Sequence, residues 1–153
     1  MHTALQEDTQ LIIEANLVGM EISVGAYRLN DQVIVLPITE IISENDFFDY
    51  DAKYNGKSQE ITPARLGETA ILEIHSIVKK LFQQLELQGV CRSEFIIVEG
   101  TPHLLEVNTI PGLTPASLIP QQVSAAGIEL PEFFESLLLK NNSDRGYQNS
   151  QLT

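Results

Sequence analysis

Glu94, Glu106 and Asn108 are the residues whose types and spacing point most directly to chemistry. Side chains alternate along a strand, so in Leu104-Leu105-Glu106-Val107-Asn108 the residues Leu105 and Val107 share one face and Leu104, Glu106 and Asn108 the other. Ser93 to Val98 reads as the partner strand and carries Glu94, with a turn at Glu99-Gly100-Thr101-Pro102. Antiparallel pairing can then gather Glu94, Glu106 and Asn108 on one sheet face. Two carboxylates and an amide oxygen form a hard, all-oxygen donor set that suits Mg²⁺ or Mn²⁺, ions that keep waters and take phosphate oxygens for the rest of their shell. The register sets a condition. Glu94 faces Glu106 only if the turn has an odd residue count, such as Gly100-Thr101-Pro102, or if a bulge intervenes. The same spacing also describes the solvated outer face of a half-buried hairpin, which is the commoner structure. Arg92 stands two residues before Glu94 and can share its face. A guanidinium there would stabilise charge on a transferring phosphoryl or acyl-phosphate group, or form only a surface ion pair with Glu94.

A second constellation follows without a break. Glu106-Val-Asn108-Thr-Ile-Pro-Gly112-Leu-Thr-Pro-Ala-Ser117 runs from the carboxylate strand through a Pro-Gly loop to a helix start. Gly112 permits close backbone approach to a ligand. Ser117 sits where free N–H groups and the helix dipole attract anions, or serves as an ordinary cap. The third is the aromatic loop Phe47-Phe48-Asp49-Tyr50-Asp51-Ala52-Lys53-Tyr54. It reads as a lid over a phosphate site with Lys53 or Tyr54 at its tip, or as a packed surface loop. No phosphate-loop, dinucleotide or nucleophile-elbow glycine motif is present. His2, His75 and His103 are scattered, and Cys91 has only Arg92 as a basic neighbour, so neither a histidine cluster nor a reactive thiol is expected.

The elements that would position these groups are an α+β set: antiparallel hairpins with helices packed on one face. Leu11-Ile12-Ile13 reads as a short strand. Glu21 to Arg28 and Val33 to Ile38 form a hairpin about the turn pair Asn30-Asp31, and a third strand follows at Thr39 to Ile42. Residues 43–60 show no periodicity. Thr62-Pro63 is expected to open a helix whose apolar face runs Leu66, Ala70, Ile74, Ile77, Val78, Leu81, Leu85, with Gly89 as its stop. Later helices are expected over about Ala116 to Ala126 and from Pro131 onward. Residues 1–10 read as a linker lead-in, 11–139 as one folded unit and 140–153 as a polar, frayed tail.

Composition narrows the partners. The chain has 153 residues, a formal net charge of −12 and 43% hydrophobic residues. That is enough apolar material for a core, and too acidic a surface for nucleic acid or an anionic membrane. The single cysteine excludes an intrachain disulfide. No apolar run reaches ~18–20 residues, and the N-terminus lacks the features of a signal peptide. A cytoplasmic protein is expected.

Phe47-Phe-Asp-Tyr-Asp-Ala-Lys-Tyr54, Cys91-Arg-Ser-Glu-Phe95 and Leu105-Glu-Val-Asn-Thr-Ile-Pro-Gly-Leu-Thr-Pro-Ala-Ser117-Leu-Ile-Pro120, in this order and spacing, resemble the D-alanine–D-alanine ligases, ATP-grasp enzymes of bacterial peptidoglycan synthesis. The resemblance covers about Leu11 to Leu139 and implies the C-terminal ATP-grasp subdomain. It implies ATP-dependent joining of two D-alanines through an acyl phosphate, with two Mg²⁺ (or Mn²⁺) ions. By the same resemblance, Glu14 and the backbone through Leu17 hold adenine, Glu21 the ribose, and Phe47 flanks adenine. Lys53 and Tyr54 close on the phosphates and the second D-alanine. Arg92 steadies the acyl phosphate; Glu94, Glu106 and Asn108 are the metal ligands. Gly112 lends an N–H to the oxyanion site, and Ser117 and Leu118 hold the second substrate's carboxylate. Glu94 stands where many members have Asp, and Ala15 and Asn16 differ from the commoner hinge residues. The family's upstream substrate domain and central subdomain have no counterpart here. The chain therefore resembles a C-terminal piece, expected to be inactive alone and to expose an apolar patch that favours self-association, within an enzyme expected to be a homodimer. A D-alanine–D-lactate or D-alanine–D-serine ligase, or a non-catalytic module binding a divalent cation or nucleotide, are the alternatives.

Overall fold

Met20–Leu29 forms strand β1, and its central six residues, Ile22 to Tyr27, are all buried. An unbroken buried run in a strand means that both of its faces are covered. The computed structural model describes residue 6 and residues 8–29, 32–43 and 58–140. In chain order the other elements are β2 (Gln32–Val35), β3 (Thr39–Ser43), β4 (Ser58–Ile61), helix α1 (Glu68–Gln84), β5 (Val90–Val98), β6 (Thr101–Asn108), α2 (Leu118–Ala125) and α3 (Leu130–Lys140). The six strands make one antiparallel sheet in the order β4-β3-β1-β5-β6, with β2 also on β1. β2 and β3 lie end to end along one edge of β1, pairing with Ala26–Leu29 and Glu21–Ser23 respectively.

The antiparallel sheet with helices is as expected. The helices, however, cover both faces rather than one. Ile22, Val24 and Ala26 point toward α1 and meet Ile74, Val78 and Phe82, which follow one another at i, i+4. Tyr27, on the opposite parity, meets Ile119 and Val123 of α2 and Phe133 of α3. The Tyr27 and Phe133 rings stand edge to face at 5.0 Å.

Other boundaries differ for identifiable reasons. Residues 8–18 hold neither helix nor strand, and Ile12 and Ile13 are exposed. Leu11-Ile12-Ile13 is therefore not a strand. Thr62-Pro63 does not open a helix. That peptide is cis, and residues 62–67 are strapped to β3: Thr62 and Thr39 hydroxyls lie 2.7 Å apart, Ala64 N–H donates to Ile38 O at 2.7 Å, and Arg65 pairs with Glu40 at 2.5 Å. The guanidinium holds the Glu40 carboxyl below its ordinary pKa. Helix α1 begins only after Gly67. It ends before Gly89 because Glu86 takes the left-handed conformation (φ 50°). Glu86 N–H donates to Gln83 O and Leu87 N–H to Phe82 O, the pair of bonds that closes a helix when glycine occupies this position. Leu85, expected on the buried face, is 52% exposed and Phe82 is buried in its place. β4 ends a segment that showed no period in sequence. The turn pair Asn30-Asp31 and the whole of the aromatic loop lie outside the described residues.

The switch from β3 to β2 leaves a gap beside β1, and Gln122 of α2 fills it. Its Oε1 accepts Gly25 N–H at 2.9 Å, while its Nε2 donates to Ser23 O and Thr39 Oγ1, each at 2.9 Å. Leu36 N–H completes the gap by donating to Gly25 O at 2.8 Å. Gly25 is small for this reason. A Cβ there would come within 2.6 Å of both Gln122 Oε1 and Ile119 Cδ1. Gly25→Ala is expected to cost about 1–3 kcal/mol by overpacking, measured as a drop in the denaturation midpoint. Cys91 faces the α1 core, and burial pushes its thiol pKa up to about 11. A thiol-specific reagent at pH 8 should label it slowly in the folded chain and rapidly in denaturant, and fast labelling of the folded chain would contradict its placement.

Candidate functional site

The hairpin of β5 and β6 turns on only Glu99 and Gly100, since Val98 pairs with Thr101. Both turn residues have positive φ, 49° and 83°, the conformation of the tight two-residue hairpin. An even loop alone would put Glu94 and Glu106 on opposite faces. A bulge between Glu94 and Phe95 corrects this: Phe95 pairs with Leu104, the next pair is Glu94 with Glu106, and Leu105 is the extra residue. The bulge was one of the two conditions read from sequence; the three-residue turn was not used. It also separates Leu104 from Glu106, because Leu104 now lies opposite Phe95 of the α1 core.

Beyond the bulge Arg92 pairs with Asn108. Arg92, Glu94, Glu106 and Asn108 thus form a two-by-two block on one face. It is the face of α2, because Arg92 and Glu94 lie beside Gly25 and Ser23 of β1. Glu94 is 8% exposed, whereas Glu106 is open to solvent. Arg92 donates from Nη2 to Glu94 Oε1 at 2.6 Å, a charge-assisted bond largely shielded from water. Its Nε is buried and has no hydrogen-bond partner.

Asn108 ends β6 and accepts the Ile110 N–H on Oδ1 at 2.9 Å, which turns the chain off the sheet. The loop then packs on itself. Gly112 lies so close to Ser117 that a Cβ would meet its hydroxyl at 2.7 Å. Ser117 is the N-cap of α2, but its hydroxyl lies 2.8 Å from that of Thr114 and makes no cap bond to the helix. Pro120 removes another N–H from the first turn. Leu118 and Ile119 N–H groups therefore begin the helix with no side chain capping them. Gln121 ties this turn to β4, its Nε2 donating to Glu60 Oε2 at 2.8 Å and to Ala116 O at 3.2 Å.

The structure thus brings together Arg92, Glu94, Glu106 and Asn108, and hangs Gly112, Ser117 and Leu118 on the loop that leaves them. Glu21 lies on β1, on the same face and opposite Ile96, half-buried. Glu14 is exposed and Leu17 half-buried in the irregular segment before β1, outside the block. Phe47, Lys53 and Tyr54 lie outside the described residues. Sequence reasoning missed Ser23, Thr39 and Gln122, the polar row beneath the block. The available signal was a hydroxyl or amide in an otherwise apolar run, as in Ile22-Ser23-Val24 and Ile119-Pro120-Gln121-Gln122-Val123.

The block's chemistry fits a hard divalent cation: two carboxylates and an amide oxygen, with buried donors behind them. Among the described residues no three His, Cys, Asp or Glu side chains converge, so these oxygens would need water or ligand oxygens to complete a shell. No helix among the described residues is long and apolar enough to cross a membrane.

Residues 1–139 match the family described as D-ala D-ala ligase C-terminus. The chain is 51% identical over 138 residues to a D-alanine–D-alanine ligase of Flavobacterium johnsoniae, covering 90% of this chain and 43% of the relative. It is 48% identical to one of Christiangramia forsetii over 89% of this chain and 42% of that one. The chain therefore spans less than half the length of these curated relatives. Among solved structures, the D-alanine–D-alanine ligase of Bacillus anthracis aligns with a TM-score of 0.76 at 28% identity, over 95% of this chain and 48% of that one. The same enzyme complexed with ATP aligns with a TM-score of 0.75. The antiparallel sheet with its helices is the C-terminal architecture of those ligases, and the chain belongs to the D-alanine–D-alanine ligase C-terminal family.

Proposed function

We propose that this chain is the C-terminal ATP-grasp part of a cytoplasmic ligase that joins two D-alanines at the expense of ATP, the folded unit being residues 11–139. The observation that carries this reading is the direct pairing of Glu94 with Glu106 beside Arg92 and Asn108. Like charges directly opposite in adjacent strands are destabilising. The arrangement makes physical sense if cations neutralise it.

In this reading Glu94, Glu106 and Asn108 hold two Mg²⁺ or Mn²⁺ ions. Bound there, the metal would neutralise the ATP phosphates and polarise the phosphoryl group. The carboxylate of the first D-alanine attacks the γ-phosphorus and ADP leaves, giving an acyl phosphate. The amine of the second D-alanine attacks the acyl carbon, inorganic phosphate departs and the amine loses a proton. Arg92 faces negative charge at both stages, and the Gly112 N–H adds a donor at the carbonyl oxygen. Ser117 and Leu118 sit at an uncapped helix start, which suits the carboxylate of the second amino acid. Glu14, Leu17, Glu21 and Phe47 are assigned to adenosine, and Lys53 and Tyr54 to closure over the phosphates. The curated relatives are named for D-alanine, which favours that second substrate. A D-Ala:D-Ser ligase of Enterococcus faecalis shares the fold at a TM-score of 0.66 and 26% identity. We infer that turnover needs the residues its longer relatives carry beyond the matched span, that the whole enzyme is a homodimer, and that neither nucleic acid nor membrane is a partner. The exposed Leu105, Ile110 and Leu113 next to the block are candidates for the surface that would meet those residues or favour self-association.

The test grafts this segment into the F. johnsoniae ligase in place of its counterpart, followed by phosphate release with D-alanine, D-lactate or D-serine as second substrate. Activity with D-alanine is expected. Glu106→Gln should lower it by at least about a hundredfold with an unchanged melting temperature, because the exposed carboxylate carries no packing. A folded graft without turnover would instead support a non-catalytic module, and near-normal Glu106→Gln activity would remove the metal assignment.

A further inference from the structure

Two buried donors without partners flank Glu94. Ser23 Oγ and Arg92 Nε are both shut away from solvent, and neither makes a hydrogen bond. Ser23 is the direct cross-strand neighbour of Glu94 on β1, as Glu106 is on β6. Thr39 pairs with Ser23 from the other side. A row Thr39–Ser23–Glu94–Glu106 therefore crosses four strands on the α2 face.

The row is satisfied at one end and open at the other. Thr39 Oγ1 is engaged with Gln122 and Thr62, and Ser23 O takes the Gln122 amide. The Ser23 hydroxyl alone is left over, in a position with zero exposure where alanine would fill nearly the same space. A carboxylate offers about four lone-pair sites, and Arg92 uses one oxygen of Glu94. Fixing the plane of a ligating carboxylate takes a second donor, and outer-shell hydrogen bonds commonly supply it.

We propose that Ser23 is a positioning residue of the divalent-cation site: its hydroxyl, unpaired in this structure, would donate to Glu94 Oε2 once a bound cation draws that carboxylate toward Glu106. The inference rests on the metal assignment of the proposed function. The Glu94 carboxylate is then gripped from both sides, by Arg92 along its own strand and by Ser23 across the sheet. The Gln122 bridge beneath keeps Ser23 itself from shifting.

The test titrates the 153-residue chain with Mn²⁺ alone, followed by electron paramagnetic resonance, alongside thermal unfolding. Ser23→Ala should raise the Mn²⁺ dissociation constant about tenfold, with an unchanged or higher melting temperature, since it deletes a buried unpaired donor without leaving a hole. Glu106→Gln, as the reference, should weaken binding at least as much. Equal Mn²⁺ affinity in wild type and Ser23→Ala, with Glu106→Gln weakened, overturns the role of Ser23 and leaves the metal assignment standing. Weaker binding in step with a lowered melting temperature marks Ser23 as a packing residue and also overturns it. Absent Mn²⁺ binding by the wild-type chain, or binding indifferent to Glu106→Gln, overturns the metal assignment itself.

Discussion

The backbone of β1 between its two edge partners has to be satisfied, and the structure depends on how this is done. β3 leaves β1 at Ser23 and β2 joins it at Ala26. Between them, a buried N–H and a buried C=O face no strand. Each such group left unpaired would cost about 1–3 kcal/mol. The Gln122 amide meets both at once and spends its remaining proton on Thr39. The bridge is directional, so it fixes where α2 sits as well as that it packs. Gly25 lets the helix come close enough, and Ile119 and Val123 supply apolar contact around the polar centre. Since Ser117 is the N-cap of α2, the geometry at the far end of the loop from Asn108 follows from this contact.

The second constraint is the bulge. A two-residue turn between β5 and β6 favours a tight hairpin, but its even count would send Glu94 and Glu106 to opposite faces. One extra residue, Leu105, restores the shared face. Its cost is visible in the exposed apolar side chain of Leu105. The turn and bulge together place four polar side chains in register while leaving Phe95, Ser93 and Cys91 directed at the α1 side.

Much of this was legible in the sequence because period-two alternation and turn chemistry are local. β1, β2, β3 and the β5–β6 hairpin follow from such signals, as does the end of α2, where Gly127 takes φ 72°. Glu86 did not fit the same rule, since a left-handed Glu has no composition signature. Thr62-Pro63 looked like a helix start because cap residues read alike whether or not a helix follows, and tertiary ties to β3 decided the matter. The placement of helices on both faces was hidden for a similar reason. Burial of Ile22 to Tyr27 is continuous, but Ser23 and Gly25 dilute its hydrophobic pattern. Those two are the positions where polar contact replaced apolar contact.

Electrostatics separates the block from the rest of an acidic surface. Only two salt bridges occur among the described residues, Arg65 with Glu40 and Arg92 with Glu94. The first is a clasp: one carboxylate on the α1 face, gripped through both oxygens, closing the strap of residues 62–67 on β3. The second leaves an excess. One guanidinium serves two facing carboxylates, and Arg92 reaches only Glu94. Two carboxylates facing each other across adjacent strands repel. Exposure of Glu106 screens much of that repulsion. A sheet selected only for stability would place a Thr or a Lys opposite Glu94. The uncompensated charge is tolerable because the fold is held elsewhere, by the Gln122 bridge and the two apolar cores, and it leaves the block attractive to cations.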